Sequence, residues 1–207
     1  MVDRSPGMLL AYLAQALIGV NVLLALLFKP SDFVIGVFLF LAGMALYVVA
    51  WRAKIAFPWF VYFLVSFALL IHTSGYIQER YLRFPYWDVL AHTVSGTMVA
   101  LLGFLLVLYL DRTRNLNLDP TFCAFFIVLF GTFCEYVWEV WEFLVDSLLG
   151  GSLAGQMQGS NTDTMTDMLF VLVASLIVAA GCWYYLRRYG KERIVDDMVR
   201  DSPLFSR

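Results

Sequence analysis

The sequence predicts an all-α polytopic membrane protein, with six transmembrane helices in one bundle and both termini cytoplasmic. Three observations carry the prediction. The 207 residues are 61% hydrophobic and only 14% charged, whereas a soluble domain carries roughly 25% charged residues. The apolar residues fall in six continuous runs close to the ~20 residues that a spanning helix needs. Those runs do not alternate apolar with polar, which excludes membrane strands. Residues 1–207 read as a single transmembrane domain, with 187–207 as a short cytoplasmic tail.

The helices are expected at about 8–28, 33–51, 55–73, 88–110, 120–145 and 164–186. The first run is too long for a signal-peptide core and no clear cleavage site follows it, so it reads as a retained helix. Lys29-Pro30-Ser31-Asp32 separates the first two helices, and Ser31 or Asp32 can cap the second. Pro58 falls in the first turn of the third helix, and Pro120 opens the fifth, both places where proline is tolerated. Thr162 or Asp163 can cap the sixth. Helices one and two look like support; Gln15 and Asn21 are suited to hydrogen bonds across helices. Cys123, Cys134 and Cys182 have neither metal-finger nor redox spacing and read as small packing residues.

Orientation follows from the basic residues. Arg4, Arg52, Lys54, Arg112, Arg114, Arg187, Arg188, Lys191, Arg193, Arg200 and Arg207 flank one side; only Lys29, Arg80 and Arg83 flank the other. The richer side is expected to be cytoplasmic. No basic stripe suggests nucleic acid. Two loops face outward under this topology. Residues 74–87 are aromatic and of mixed charge. Residues 146–163 contain no Lys or Arg, and such a loop could either dip back over a site or lie exposed.

The topology brings ionisable residues to one level. His72 closes the third helix, Asp88 and His92 open the fourth, Glu135, Glu139 and Glu142 lie in the outer half of the fifth, and Asp163 and Asp167 begin the sixth. Asp88 and His92 are four apart and share a face, as do Asp163 and Asp167. The three glutamates form a stripe at i, i+4 and i+7, with Trp138 and Trp141 between them. Gly96, Ala100 and Gly103 continue the Asp88–His92 face, so that face is expected to point inward at a close helix contact. Ionisable groups at membrane depth are expensive, and their default reading is a functional site.

Six carboxylates cannot all remain ionised together in a low-dielectric site. Bound protons, Arg80 and Arg83, or a metal ion must compensate. Two histidines with several carboxylates suit a divalent ion such as Zn, Mn or Fe. The expected metal ligands are His72, Asp88, His92, Glu139 and Asp167. The expected catalytic group is His92 with Glu139 as the central pair, Asp88 beside them and Glu135 as deeper support. Glu142, Asp163 and Gln158 are assigned to the rim or to caps.

The same residues carry a family resemblance. Ile71-His72-Thr73-Ser74-Gly75-Tyr76 resembles an HT-x-G element, and Trp87-Asp88 through His92 an x-D-x-x-x-H element. Glu135, Glu139 and Glu142 fit an E-x-x-x-E-x-x-E/W helix, and Gln158-Gly159 with Asp163 and Asp167-Met168 fits Q-G…D-x-x-x-D-M. In this order, over about residues 70–175, they resemble the YjdF-like inner-membrane family and, more distantly, VanZ-like proteins. The family often has another His where this chain has Tyr76 and Ile77, and an acid where it has Ser160. The resemblance implies the six-helix architecture and the importance of these positions, and it brings no reaction.

Three functions are consistent with this pattern. The first is an envelope-facing, metal-assisted hydrolase or transferase acting on a lipid-linked or phosphorylated substrate, with His and carboxylates as acid–base groups. The second is an ion- or proton-coupled transporter. It lacks a visible polar path through the cytoplasmic half and an inverted repeat, although an oligomer could supply one. The third is a non-catalytic scaffold or sensor with a structural polar network. Under each, the chain sits in the cell membrane with its polar site on the extracytoplasmic side.

Overall fold

The computed structural model describes residues 5–53, 57–149, 157–192 and 194. Among these there is no strand. The long helices are α1 (Pro6–Phe28), α2 (Phe33–Ala53), α3 (Trp59–Ile77), α5 (Trp87–Arg114), α6 (Pro120–Leu149) and α7 (Asn161–Tyr189). A four-residue α4 (Arg80–Arg83) lies between α3 and α5. Among the described residues, six helices are long and apolar enough to cross a membrane.

Local chemistry sets the boundaries. Ser5 caps α1, its Oγ accepting from Met8 N, with Pro6 at the first helical position. Residues Pro30–Asp32 form a 3₁₀ turn into α2, where Ser31 Oγ donates to Asp32 and Asp32 pairs with Lys29 at 2.8 Å. Pro58 stands just before α3 as its N-cap, outside the first turn. The third helix is therefore displaced toward its C-terminus from the expected 55–73. Ser74-Gly75-Tyr76-Ile77 continues it, and Tyr81 packs where a Gly75 side chain would otherwise stand. The fourth expected helix overruns its apolar stretch to Arg114, and Asn115, in the left-handed conformation that Asn tolerates, ends it. Ser160 caps α7, accepting from Asp163 N, in place of the expected Thr162 or Asp163. Asp163 instead accepts from Gly159 N at 3.0 Å.

The helices form two groups of three. One consists of α1, α2 and α3; the other of α5, α6 and α7; the main junction is α3 against α5. Met8, Ala11, Ala50 and Tyr62 form the core of the first group near its end. Its polar support is buried too: Gln15 donates to Phe40 O, and Asn21 donates to Thr73 and Ser74 and accepts from Gln78 at 2.7 Å. The second group has an apolar core of Ala100, Phe104, Val107, Leu108, Cys123, Ile127, Ala179, Cys182 and Leu186. At the end of that core, Asp111 accepts from Leu118 N at 2.6 Å and from Lys191 Nζ at 2.7 Å, and Lys191 also donates to Leu118 O.

Close helix approach in the second group depends on glycine at three places, one of them Gly131 of α6 against Ser175 of α7. A Cβ on Gly96 would stand 2.8 Å from Val171 Cγ1, and one on Gly103 would stand 2.8 Å from Phe130 Cδ1. The Gly96–Val171 contact brings α5 and α7 together one turn below His92 and Asp167 and two turns below Asp88.

Candidate functional site

Four helices deliver the cluster. α5 presents His92 inward, 3% exposed, with its two ring nitrogens aimed in different directions. Nδ1 lies 2.7 Å from Glu135 Oε1 of α6, and Nε2 lies 3.5 Å from Asp88 Oδ1 one turn earlier. Asp167 enters from α7 and is also buried. Asp88, His92 and Asp167 each bring one potential ligand atom within 4.8 Å of the others, and so do His92, Glu135 and Glu139. His92 belongs to both groups.

The tight partner of His92 is Glu135. Glu139 Oε1 stands 3.9 Å from Nδ1, too far for a hydrogen bond. That oxygen is buried and, among the described residues, has no hydrogen-bond partner, while Oε2 of the same carboxylate takes the Gln158 amide at 3.2 Å. An unpartnered buried carboxylate oxygen is costly, and such an exception calls for an explanation.

Glu142 is only 7% exposed and accepts from Trp138 Nε1 at 2.9 Å. It is thus an interior member of the stripe, not its rim, because the indole covers it from within its own helix. Trp141 is the exposed tryptophan of the pair. Asp88, about one-third exposed, is the most open carboxylate beside His92.

Residue His72 does not share the geometry expected of a ligand. Its ring centroid lies 6.5 Å from that of His92, but Nδ1 meets Tyr81 Oη at 2.7 Å and Nε2 meets Ser95 Oγ at 3.0 Å. Burial, then the nearby Tyr76, Asp88, Glu142 and Asp167, push the Tyr81 phenol well above 10. The phenol keeps its proton and can donate to Nδ1, with Nε2–H donating to Ser95. Both nitrogens are then occupied, so His72 braces α3 against α4 and α5.

The basic residues do not compensate the carboxylates directly. Arg83 pairs with Glu79 at 2.9 Å, holding that carboxyl below its usual range. Arg80 donates to Gln78 and lies 4.7 Å over the Trp87 ring.

The described end of the second long loop reaches the cluster. Asp146 accepts from Met157 N and Gln158 N, which turns the chain back toward α6. Gln158 Nε2 then lies 3.3 Å from Glu139 O and 3.0 Å from Thr164 Oγ1 as well as against the carboxylate. Gln158 is therefore a bracket between α6 and α7. Residues 150–156 lie outside the described part of the chain.

Sequence reasoning missed Tyr81, Ser95 and Trp87. Ser95 was accessible to it, since it is three residues after His92 on the same α5 face. Trp87, whose indole donates to Ile71 O, and Tyr81 lie in a loop where no periodicity marked which aromatic points inward.

A six-helix membrane protein with a buried His and carboxylate cluster is the class that fold and site define. The chain belongs to the predicted membrane protein family DUF2238, whose model matches residues 9–188. That match carries neither the YjdF-like nor the VanZ-like name. No curated protein and no solved structure matches the chain.

Proposed function

We propose that Asp88, His92 and Asp167 bind a divalent cation, and that the protein is an envelope-facing hydrolase or transferase acting on a lipid-linked or phosphorylated substrate. The observation that carries this reading is the division of labour on His92. A metal-ligating histidine characteristically donates its second ring N–H to a carboxylate, which fixes the tautomer and aims the other nitrogen. Glu135 occupies that position at 2.7 Å, and Asp88 stands on the Nε2 side. The nitrogen and carboxylate donors suit Zn, Mn or Fe. Charge balance supports the same reading: Asp88, Glu135 and Glu139 face His92, and no described hydrogen bond or ion pair joins a Lys or Arg side chain to these three, to Glu142 or to Asp167.

A bound divalent ion would polarise a phosphoryl oxygen and lower the pKa of a water on it. The protein's own groups divide the remaining tasks. Glu135 orients His92. Glu139, with one oxygen tied to Gln158 and the other unpartnered, is placed to accept a proton. Trp138 and Gln158 limit the access of water from α6 and from the loop. A transporter reading finds less support, because the other half of the α5–α6–α7 core is apolar from Ala100 to Leu108 and from Cys123 to Ile127.

The test is elemental analysis of detergent-purified protein loaded separately with Zn, Mn and Fe, beside His92→Ala and Asp167→Asn. One metal per chain, lost in both variants while the fold is kept, is the expected result. Folded wild-type protein that retains none of the three ions overturns the proposal. The assigned side of the membrane has a separate check: a cysteine replacing Ser160 should react with an impermeant maleimide from outside intact cells, and reaction only from the cytoplasmic side reverses it.

A further inference from the structure

The two helix groups do not close on each other everywhere. α2 packs on α1 and α3, and α6 packs on α5 and α7, but α2 and α6 share no substantial interface. Between them runs an apolar cavity of about 400 Å³, with Leu39 and Ala42 on the α2 wall, Val65 on α3, Met98 on α5 and Cys134 on α6. Its volume lies within the roughly 300–1,000 Å³ of ligand sites. Its polar end is formed by His72, His92, Ser95 and Glu135. The cavity therefore terminates on the functional cluster.

Two features define its exits. A second apolar space of about 260 Å³ shares Phe38, Leu39, His72 and Trp138 with the first and is walled by Val34 and Trp141. Phe38, Val34 and Trp141 are 60%, 62% and 54% exposed. These are lipid-facing positions on membrane-spanning helices, so the cleft opens sideways into the bilayer. The second space also touches Tyr76 and Met157, which in turn line a polar cavity of about 440 Å³ containing Lys29, Asp32, Asp88 and Glu142. The three spaces thus adjoin through shared lining residues, and the lining changes from hydrocarbon-like to polar at the depth of Asp88 and His92. Only an amphiphile matches both ends.

We infer that the α2–α6 cleft is a binding site for the hydrocarbon chain of a long-chain amphiphile, entering laterally from the bilayer with its head group at Asp88 and His92. The inference rests on the proposed site for the position of the head group, but chain binding itself does not depend on the metal. The polar cavity carries Asp32, Glu79, Asp88, Glu142 and Asp163 against Lys29. An anionic head is therefore repelled unless a cation occupies the cluster, whereas an uncharged head is not.

The experiment uses the full-length chain in phosphatidylcholine nanodiscs with two photoreactive probes, dodecanol and dodecyl phosphate, each bearing a diazirine at the chain end. Dodecanol should label peptides containing Ala42, Met98 or Cys134 saturably, with competition by untagged dodecanol, whether or not metal is present. Dodecyl phosphate should label them only after metal loading. Ala42→Trp should weaken dodecanol labelling about tenfold, equivalent to ~1.4 kcal/mol, and leave bound metal unchanged. Val65→Trp serves the same purpose from the α3 wall should Ala42→Trp not fold. Cleft labelling no greater than that of lipid-facing Ile177 on α7, or unaffected by competitor, overturns the inference. Saturable dodecanol labelling in a protein that binds no metal would retain the chain site and discard the metal centre.

Discussion

Replacing Gly96 with alanine should damage the site without touching any group in it. Gly96 lies four residues after His92 on α5, and Val171 lies four residues after Asp167 on α7, so the Gly96–Val171 contact spaces the two helices just below those side chains. An added Cβ would meet Val171 Cγ1, Cγ2 and Cβ at 2.8, 2.9 and 3.1 Å, against ordinary contact from 3.4 Å. Val171 is fully buried and β-branched, so it has no other rotamer to adopt cheaply. Restoring ordinary contact then requires a shift of about 0.6 Å between the two helices. Overpacking of this kind costs about 1–3 kcal/mol. More importantly, 0.6 Å exceeds the ~0.2 Å tolerance of a metal–ligand distance. Perturbation of groups that orient ligands typically costs about 10–100-fold in metal affinity.

The assay is a pair of measurements on Gly96→Ala, Val171→Ala and the double variant: thermal midpoint in detergent, and metal affinity by competition with a chelator. Gly96→Ala should lower both. Val171→Ala should leave metal affinity nearly unchanged, and the double variant should recover affinity relative to Gly96→Ala because the methyl groups of Val171 are gone. Such coupling between touching residues is commonly about 0.5–3 kcal/mol. If Gly96→Ala binds metal as tightly as wild type, or the second substitution restores nothing, helix spacing does not set the geometry of the cluster.

Other variants test separate parts of the structure. Glu135→Gln keeps the shape but weakens the acceptor for His92 Nδ1, and metal affinity should fall about 10–100-fold with little change in thermal midpoint. Asn21→Leu removes three interhelical hydrogen bonds to Thr73, Ser74 and Gln78; at ~0.6 kcal/mol each in a membrane, the loss should be about 1–2 kcal/mol in detergent unfolding. Lys191→Met strips the charged partner from buried Asp111, which keeps only its bond from Leu118 N, and should cost about 1.5–3 kcal/mol, part of which Asp111→Leu should return, since an apolar pair replaces a buried ion pair at low cost.

The sequence made the helices legible because a bilayer imposes one length and one composition on each span. It placed His92, Glu135, Glu139 and Asp167 on converging faces because alternating helix direction leaves no other common level for them. What remained hidden was decided by choices that spacing does not encode. Glu135 and Glu139 are one helical turn apart on one face, and only the depth at which α5 crosses α6 selects Glu135 as the partner of His92. Glu142 reads as a rim residue by position, but Trp138 folds over it. His72 has the residue type of a ligand and loses that role to Tyr81 and Ser95, one of them in a loop without periodicity. The lateral cleft is harder still to foresee, since it arises from two helices that share no substantial interface, and a gap between helices leaves no pattern in either stretch of sequence that borders it.

The lack of a substantial α2–α6 interface also bears on why helices one and two look like plain support. Their polar residues, Gln15 and Asn21, are consumed in holding α1 to α2 and α3. That frees the α2 face around Leu39 and Ala42 to serve as one wall of a cleft. In a bilayer such a wall carries no hydrophobic penalty when it faces lipid, because lipid tails are as apolar as leucine. A soluble protein would close this gap to bury apolar surface. A membrane protein can leave it open at little cost, and here the opening leads to a region where ionisable groups are gathered on the membrane-spanning helices.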